Sequence, residues 1–554
     1  MISKRIAIAI LATTALVGAS PEARACTNIL VTKGASTDGS TMITYAADSH
    51  ELYGELYFTP ARSHAPGAIR DVIEWDTGKF LGRIPQPAQT YSVVGNINEF
   101  QVAIGETTFG GREELKGPSG IIDYGSMMYI ALERAKTARQ AVEVIGALFE
   151  EFGYASSGES FSISDPNEVW LMEMIGKGEK QKGALWVARK LPDGTISAHA
   201  NQARIRQFPL NDPATTLYSK DVISFAREKG WFKGKDAEFS FADTYAPLDF
   251  GALRFCEARV WSVFRRAAPS MEFSIDYVKG KPGAEPMPLW IKPDKKISLR
   301  DTMWLMRDHY EGTEFDMTKG VGAGPFQLPY RWRPMEWEFE GQKYVHERAI
   351  STQQTGFSFV TQSRSWLPNP IGGILWFGFD DTYSTVFTPM YCGIREVPKS
   401  WAVGSGNFNE FSWDSGFWVF NFVSNWAYSR YSDMIVDIQR VQGELESQFF
   451  AQQPEVEKAA ADLYARAPGL ARDYLTEYSV EQGEMVTKRW RKLGEHLLWK
   501  YLDGNVRDAQ GGITHPAYCE PWYRAIVAEN GDGLKVPPPP PAPPAPPAPV
   551  PTAP

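Results

Sequence analysis

Apolar and polar positions first divide the chain into strands and helices. The run "CTNILVT", starting at Cys26, is β-branched and apolar, as a strand is. "KGASTDGS" follows, with Asp38-Gly39 a turn signal, and "TMITYA" predicts a second strand. A two-residue loop at Asp38-Gly39 would set Asp48 opposite Ile29, roughly 10 Å from Cys26 at ordinary strand rise. A wider loop brings Asp48 closer to Cys26. Further strands are predicted at "YSVVGNI", "QVAIGETTF", "SFSISD", "EVWLMEMI", "GALWVARKL" and "TISAHANQ". "SMMYIALERAKTARQAVEVIGALFEEFG" spaces its apolar residues by three and four and predicts one helix stopped at Gly153. Residues 355–425 are aromatic and strand-like. Residues 428–502 read as helix, interrupted near Pro454 and Pro468. Strands, a helix and more strands predict an α+β fold of helix layers against antiparallel sheet.

The two ends have a different character. Lys4 and Arg5 precede an apolar run over residues 6–18 that is too short to span a bilayer, and Ala23-Arg24-Ala25 fits a small-x-small cleavage site. This predicts a signal peptide over 1–25, export to the periplasm or medium, and a mature chain beginning at Cys26. A cysteine after a signal can instead carry a lipid anchor, but such sites usually have Leu three residues earlier, where Ala23 stands here. No later segment has the length and apolarity of a membrane-spanning helix. Residues 537–554, "PPPPPAPPAPPAPVPTAP", predict a disordered, extended tail acting as a spacer. The predicted organisation is a catalytic domain over 26–425, a helical region over 426–510, a connecting segment over 511–536, and the tail.

Composition narrows the chemistry. The net charge is −9, and removal of 1–25 takes with it Lys4, Arg5 and Arg24 against Glu22, which argues against nucleic acid or anionic membrane as partner. Four cysteines, Cys26, Cys256, Cys392 and Cys519, are too few for a disulfide framework, and at most one internal bond is expected. The cluster Asp308, His309, Glu311, Glu314 and Asp316 could offer metal ligands, but such a run reads first as a hydrogen-bonded loop. No GxSxG elbow and no phosphate loop is present. No metal or cofactor is called for.

Cys26 remains. A thiol titrates near pH 8.5 and needs a base to become a nucleophile. Cleavage after Ala25 would supply one. The α-amine of Cys26, with an ordinary pKa near 7.7–8.0, could take the thiol proton and later protonate the leaving amine. The junction alone equally fits a cysteine that merely follows a cleavage site.

Several blocks extend the argument. "ACTNILVTKGASTDGSTMITYAADS" resembles the start of the dipeptidase-A-type family of cysteine N-terminal-nucleophile hydrolases, which includes the secernins. "NEFQVAIGETT", "SSGESFSISDPNEVWLMEM", "AHANQARI", "EARVW" and "MRDHYEGTEFDMT" resemble further family segments in the same order. The resemblance implies a four-layer αββα sandwich and hydrolysis of dipeptides. It matches Cys26 to the nucleophile, Asp48 to the Asp that holds the α-amine, and Asn201 to the Asn that polarises the scissile carbonyl. Arg259 matches the supporting Arg, with Arg254 as the alternative. Glu106 and Thr107 fall where substrate is bound, Thr107 as a donor and Glu106 as a partner for the substrate's α-ammonium. Relatives often read RNxD or KNxD where this chain has "YAAD", so Tyr45 replaces a cation and the Cys26 thiol must find another stabiliser or titrate high. The alternatives are an amidase acting on N-acylated small molecules and a non-catalytic, exported or lipid-anchored binding protein. The preferred dipeptide and the oligomeric state, homo-oligomer included, stay open at this level.

Overall fold

The structure is a computed structural model describing residues 26–117 and 119–542. The expected signal peptide and the last part of the proline tail lie outside those residues. In chain order the main strands are β1 (Asn28–Val31), β2 (Met42–Asp48), β3 (Ala103–Phe109), β4 (Gly158–Ser164), β5 (Val169–Gly176), β6 (Ala184–Lys190), β7 (Ile196–His199), β8 (Thr355–Ser363), β9 (Gly373–Phe379) and β10 (Thr388–Tyr391). The main helices are α1 (Tyr124–Leu132), α2 (Ala138–Phe152), α3 (Ala258–Ala267), α4 (Leu299–Leu305), α5 (Gly416–Ala427), α6 (Tyr431–Arg466) and α7 (Pro468–Lys500).

The chain is mixed α and β, built on antiparallel sheets. One seven-stranded sheet runs from a short strand, Trp290–Ile291, through β7, β1, β2, β8, β9 and β10. An eight-stranded sheet holds β6, β5, β4 and β3 in its middle. Alternation along β4 explains how the second sheet is covered on both sides. Phe161 and Ile163 join Ile104, Trp170 and Met172 in a core with α1 and α2. Ser162, on the opposite face of β4, meets the first sheet, bonding the Asn28 amide at 3.1 Å and His199 Nε2 at 2.8 Å. Gly105 makes this approach possible: a Cβ there would lie 2.8 Å from the Asn28 amide and 3.2 Å from the Thr44 carbonyl.

The first sheet is covered by α3, α4, α5 and α7, and its core runs without a break into Ile438, Leu445, Phe449 and Trp490 of the C-terminal helices. Three element expectations are corrected. The single helix expected after Ser126 is two, because Thr137 caps α2, its hydroxyl accepting the Gln140 N–H at 3.1 Å. Gly153 ends α2, as read from the sequence, in a positive-φ conformation. The aromatic stretch 416–427 is helix rather than strand: Ser415 caps it, and Phe417, Phe420, Val423 and Ala427 share a buried face at helical spacing. Helix α6 continues through Pro454, whereas Pro468 occupies the first turn of α7, where its missing N–H costs nothing. All four cysteines are free. Among the described residues no helix is long and apolar enough to cross a membrane.

Candidate active site

Strand register assembles the site. β1 pairs with β2 as Leu30↔Ile43 and Val31↔Met42, with a further bridge Thr27↔Ala46. The loop is wider than two residues because a 3-10 turn, Lys33–Ala35, precedes a second turn in which the Asp38 carboxylate accepts from Ser36 and Ser40. The pairing therefore runs on to set Asp48 beside Cys26. On the other edge β1 pairs with β7 as Asn28↔His199. Two more residues of that register set Asn201 against Cys26. Asn201 turns there with φ 62°, a left-handed conformation that asparagine tolerates better than most residues.

Arg259 locks these pieces together. A wide π-helical turn, Ala252–Glu257, leads into α3, which carries Arg259. The guanidinium is fully buried. Its Nη1 donates to the Cys26 carbonyl at 2.6 Å and to Thr27 Oγ1 at 2.8 Å, and its Nη2 donates to Asn201 Oδ1 at 2.9 Å. Asn201 Nδ2 donates in turn to the Thr108 carbonyl at 2.6 Å. Burial first, and the nearby Arg348 second, lower Arg259 to about 10, so it stays cationic at neutral pH. Arg254 lies elsewhere, paired with Glu347 and stacked 3.7 Å over Phe315.

Cys26 lines a cleft of about 310 Å³, together with Tyr45, Asp48 and Glu106. Asn201 and Arg259 stand behind it. Glu106 Oε1 lies 3.5 Å from the Cys26 sulfur and accepts from Tyr45 Oη at 2.5 Å. Burial, then the charges of Glu106 and Asp48, push the thiol well above its ordinary range. Tyr45, which stands where relatives often carry a cation, pulls the other way through its hydroxyl but does not offset burial and the two carboxylates. Burial also raises Glu106, and it drives the adjacent Glu159 well above the carboxylate range, with Glu106 as the next cause. Asp48 is raised to about 6 by burial, against the opposing pull of Arg348 at 3.0 Å and Thr355 Oγ1 at 2.6 Å.

Thr107 does not reach the cleft. Strand alternation turns its hydroxyl to the other side of β3, onto His199 Nδ1 at 2.7 Å, and Thr108 lines the cleft instead. His199 is held neutral, lowered to about 3 by burial and then by Arg204 and Arg259. The 308–316 run is a bonded loop: Asp308 binds Ser262, Arg265 and Arg266, and Glu311 binds Arg266 and His309. Sequence reasoning did not find Arg348, Thr355 or Glu159 as partners of the site. Arg348, from a loop, and Thr355, from the start of β8, arrive from far along the chain with no local motif to mark them. Glu159 carried a signal, since it lies in "GESF" one strand from "GETT".

The family model described as peptidase family C69 matches residues 25–64 and 59–444. A probable dipeptidase of Latilactobacillus sakei is 26% identical over 400 residues, covering 69% of this chain and 76% of its own. A probable dipeptidase of Salmonella dublin is 27% identical over 395 residues, covering 67% and 82%. A dipeptidase of Bifidobacterium longum is 26% identical over 413 residues, covering 68% and 72%.

Proposed function

Because this chain belongs to peptidase family C69, we propose that it is an exported dipeptidase whose nucleophile is the Cys26 thiol and whose base is the α-amine of that same residue. The observation that carries this reading is the position of Cys26: its sulfur faces the cleft while its carbonyl is clamped by Arg259. Removal of 1–25 as a signal peptide would free the amine beside Asp48. Paired sheets with helices packed against them fit the αββα sandwich of N-terminal-nucleophile hydrolases.

The neutral amine takes the thiol proton as sulfur bonds to the peptide carbonyl carbon. The carbonyl π electrons move to oxygen, where the second Nδ2 hydrogen of Asn201, the one not bonded to the Thr108 carbonyl, donates to the developing charge. When that oxyanion collapses, the C–N bond breaks and the ammonium of Cys26 returns the proton to the departing amine. Water, deprotonated by the same amine, then attacks the thioester, and the sulfur leaves and regains a proton. A thiol that titrates high needs such a base, which agrees with the environment of Cys26. Asp48, anchored by Arg348 and Thr355, orients the amine. Glu106, in the buried lining of the cleft, receives the substrate's α-ammonium and so favours free dipeptides over N-acylated amides.

Cys26→Ala is expected to abolish dipeptide hydrolysis while leaving the melting temperature unchanged within a few degrees. Full activity in that variant would reject Cys26 as the nucleophile. Mass spectrometry of the mature N-terminus separates the enzyme, which needs an unmodified Cys26 amine, from a lipid-anchored binding protein.

A further inference from the structure

The walls of the Cys26 cleft are unevenly charged. Asp48, Glu51, Glu55, Asp76 and Glu106 line it, and among the described residues no Lys, Arg or His does. Asp48 is answered by Arg348. Glu51, Glu55 and Glu106 form no ion pair with any described residue, although Glu55 Oε1 accepts the Gly404 N–H at 2.7 Å. Glu106 is 1% exposed, its Oε1 accepts from the Tyr45 hydroxyl, and its carboxyl meets that of Glu159, with no cation among its partners. Its buried neighbour Glu159 is a second carboxyl, not a cation. Glu159 shares a hydrogen bond with the Glu106 carboxyl, so the acid beside the cleft has a proton donor but no cation next to it. The lining is also aromatic: Trp75 stacks on Tyr129 at 4.7 Å and packs against Tyr57 at 4.6 Å. Carboxylates beside ring faces form a surface that attracts organic cations.

We propose that this cleft selects cationic dipeptides, with the α-ammonium on Glu106 and a Lys or Arg side chain between the Trp75–Tyr129 wall and the carboxylates of Glu51 and Glu55. The inference rests on the reading of Cys26 as the nucleophile of a dipeptidase and adds the substrate class. Depth orders the two contacts. Glu106 lies at the buried floor, 3.5 Å from the sulfur, within reach of an ammonium one carbon from the attacked carbonyl. Glu51 is exposed and Glu55 half-buried, so they stand nearer the mouth, where a long basic side chain extends. An acidic side chain there would face like charges without a cation in the lining.

The test compares Ala-Lys and Lys-Ala with Ala-Ala and Ala-Glu on the mature enzyme. The better basic dipeptide is expected to exceed Ala-Ala in kcat/KM by about ten-fold at low salt, an advantage that shrinks as ionic strength rises. Ala-Glu is expected to be the poorest of the four. Replacing two of the lining carboxylates, Glu51→Gln with Glu55→Gln, should lower the basic-to-neutral ratio several-fold. Equal kcat/KM for Ala-Glu and the basic dipeptides, or an unchanged ratio in the double variant, overturns the inference while leaving the dipeptidase reading intact. Calorimetric binding to the Cys26→Ala protein decides the matter independently of turnover. Tighter binding of basic than acidic dipeptides supports the inference even if the nucleophile has been misassigned, and equal binding rejects it.

Discussion

Arg259 touches the Cys26 carbonyl, Thr27 and Asn201 with one planar fork, so its loss removes several donors from buried acceptors at once. Arg259→Met is expected to cost on the order of 1–3 kcal/mol in denaturant unfolding for each acceptor left dry and to lower kcat by more than KM rises. Arg259→Lys keeps charge without the fork and should restore only part of kcat. Asn201→Ala should lower kcat by about 10²–10³ with little change in KM, the signature of a lost oxyanion donor. Asp48 has a folded pKa of about 6, above the ordinary value of about 3.9. The folded state therefore binds this proton more tightly than the unfolded chain. Ionisation of Asp48 costs stability as pH rises from about 4 to about 6, and the cost is complete above that window. The stability difference between Asp48→Asn and the parent should change across that window in favour of the variant, read from urea midpoints. Activity is expected to move the opposite way, because the role proposed for Asp48 needs its ionised form, and kcat/KM should fall as pH drops through about 6. That Cys26, Asp48, Asn201 and Arg259 come together was legible because each sits in a short ordered motif. Arg348 and Thr355 were not, because they meet Asp48 from 300 and 307 residues along the chain, Thr355 through strand pairing and Arg348 from a loop. Thr107 was misjudged through parity, as one step along β3 separates it from the cleft.

At the level of elements, the site is a matter of strand order. β7, β1 and β2 lie side by side, and their registers alone bring Asn201, Cys26 and Asp48 into line. β3 crosses close above them at Gly105, where a methyl group would collide with the Asn28 amide and crowd the Thr44 carbonyl. Gly105→Ala should destabilise the fold by about 1–3 kcal/mol through overpacking, and should weaken activity by displacing Glu106 and Cys26. Urea unfolding with kcat measured on the folded fraction checks both effects. Strands with alternating patterns were legible in the sequence. The break between α1 and α2 was harder to see because apolar spacing continues across it, while a single threonine cap decides the boundary. The helix at 416–427 was hidden because aromatic residues suit a buried strand or a buried helix equally, and only the Ser415 cap and the spacing of Phe417, Phe420 and Val423 separate the two.

Across the whole molecule, the C-terminal helices complete the core of the first sheet. α7 packs on β10, and the buried pair Arg307–Glu446 and the contact of Arg364 with Glu457 at 2.5 Å join α6 to the body. A chain ending after residue 427 should lose soluble expression, because β9 and β10 would expose their apolar face. Glu446→Gln should cost about 3–5 kcal/mol by leaving Arg307 buried with its partner charge removed. The proline tail makes no such contact through residue 542, where it is exposed and without regular structure, so deleting 537–554 should leave the melting temperature unchanged. The account as a whole turns on a primary amine and a thiol sharing one residue. The most direct measurement is N-terminal peptide mass spectrometry of the protein fraction whose dipeptidase activity is lost in proportion to alkylation of a single thiol. The account predicts that this fraction begins at an unmodified Cys26 and carries the label on its sulfur. Active protein that still bears Ala25, or a label on Cys256, Cys392 or Cys519 instead, would contradict it.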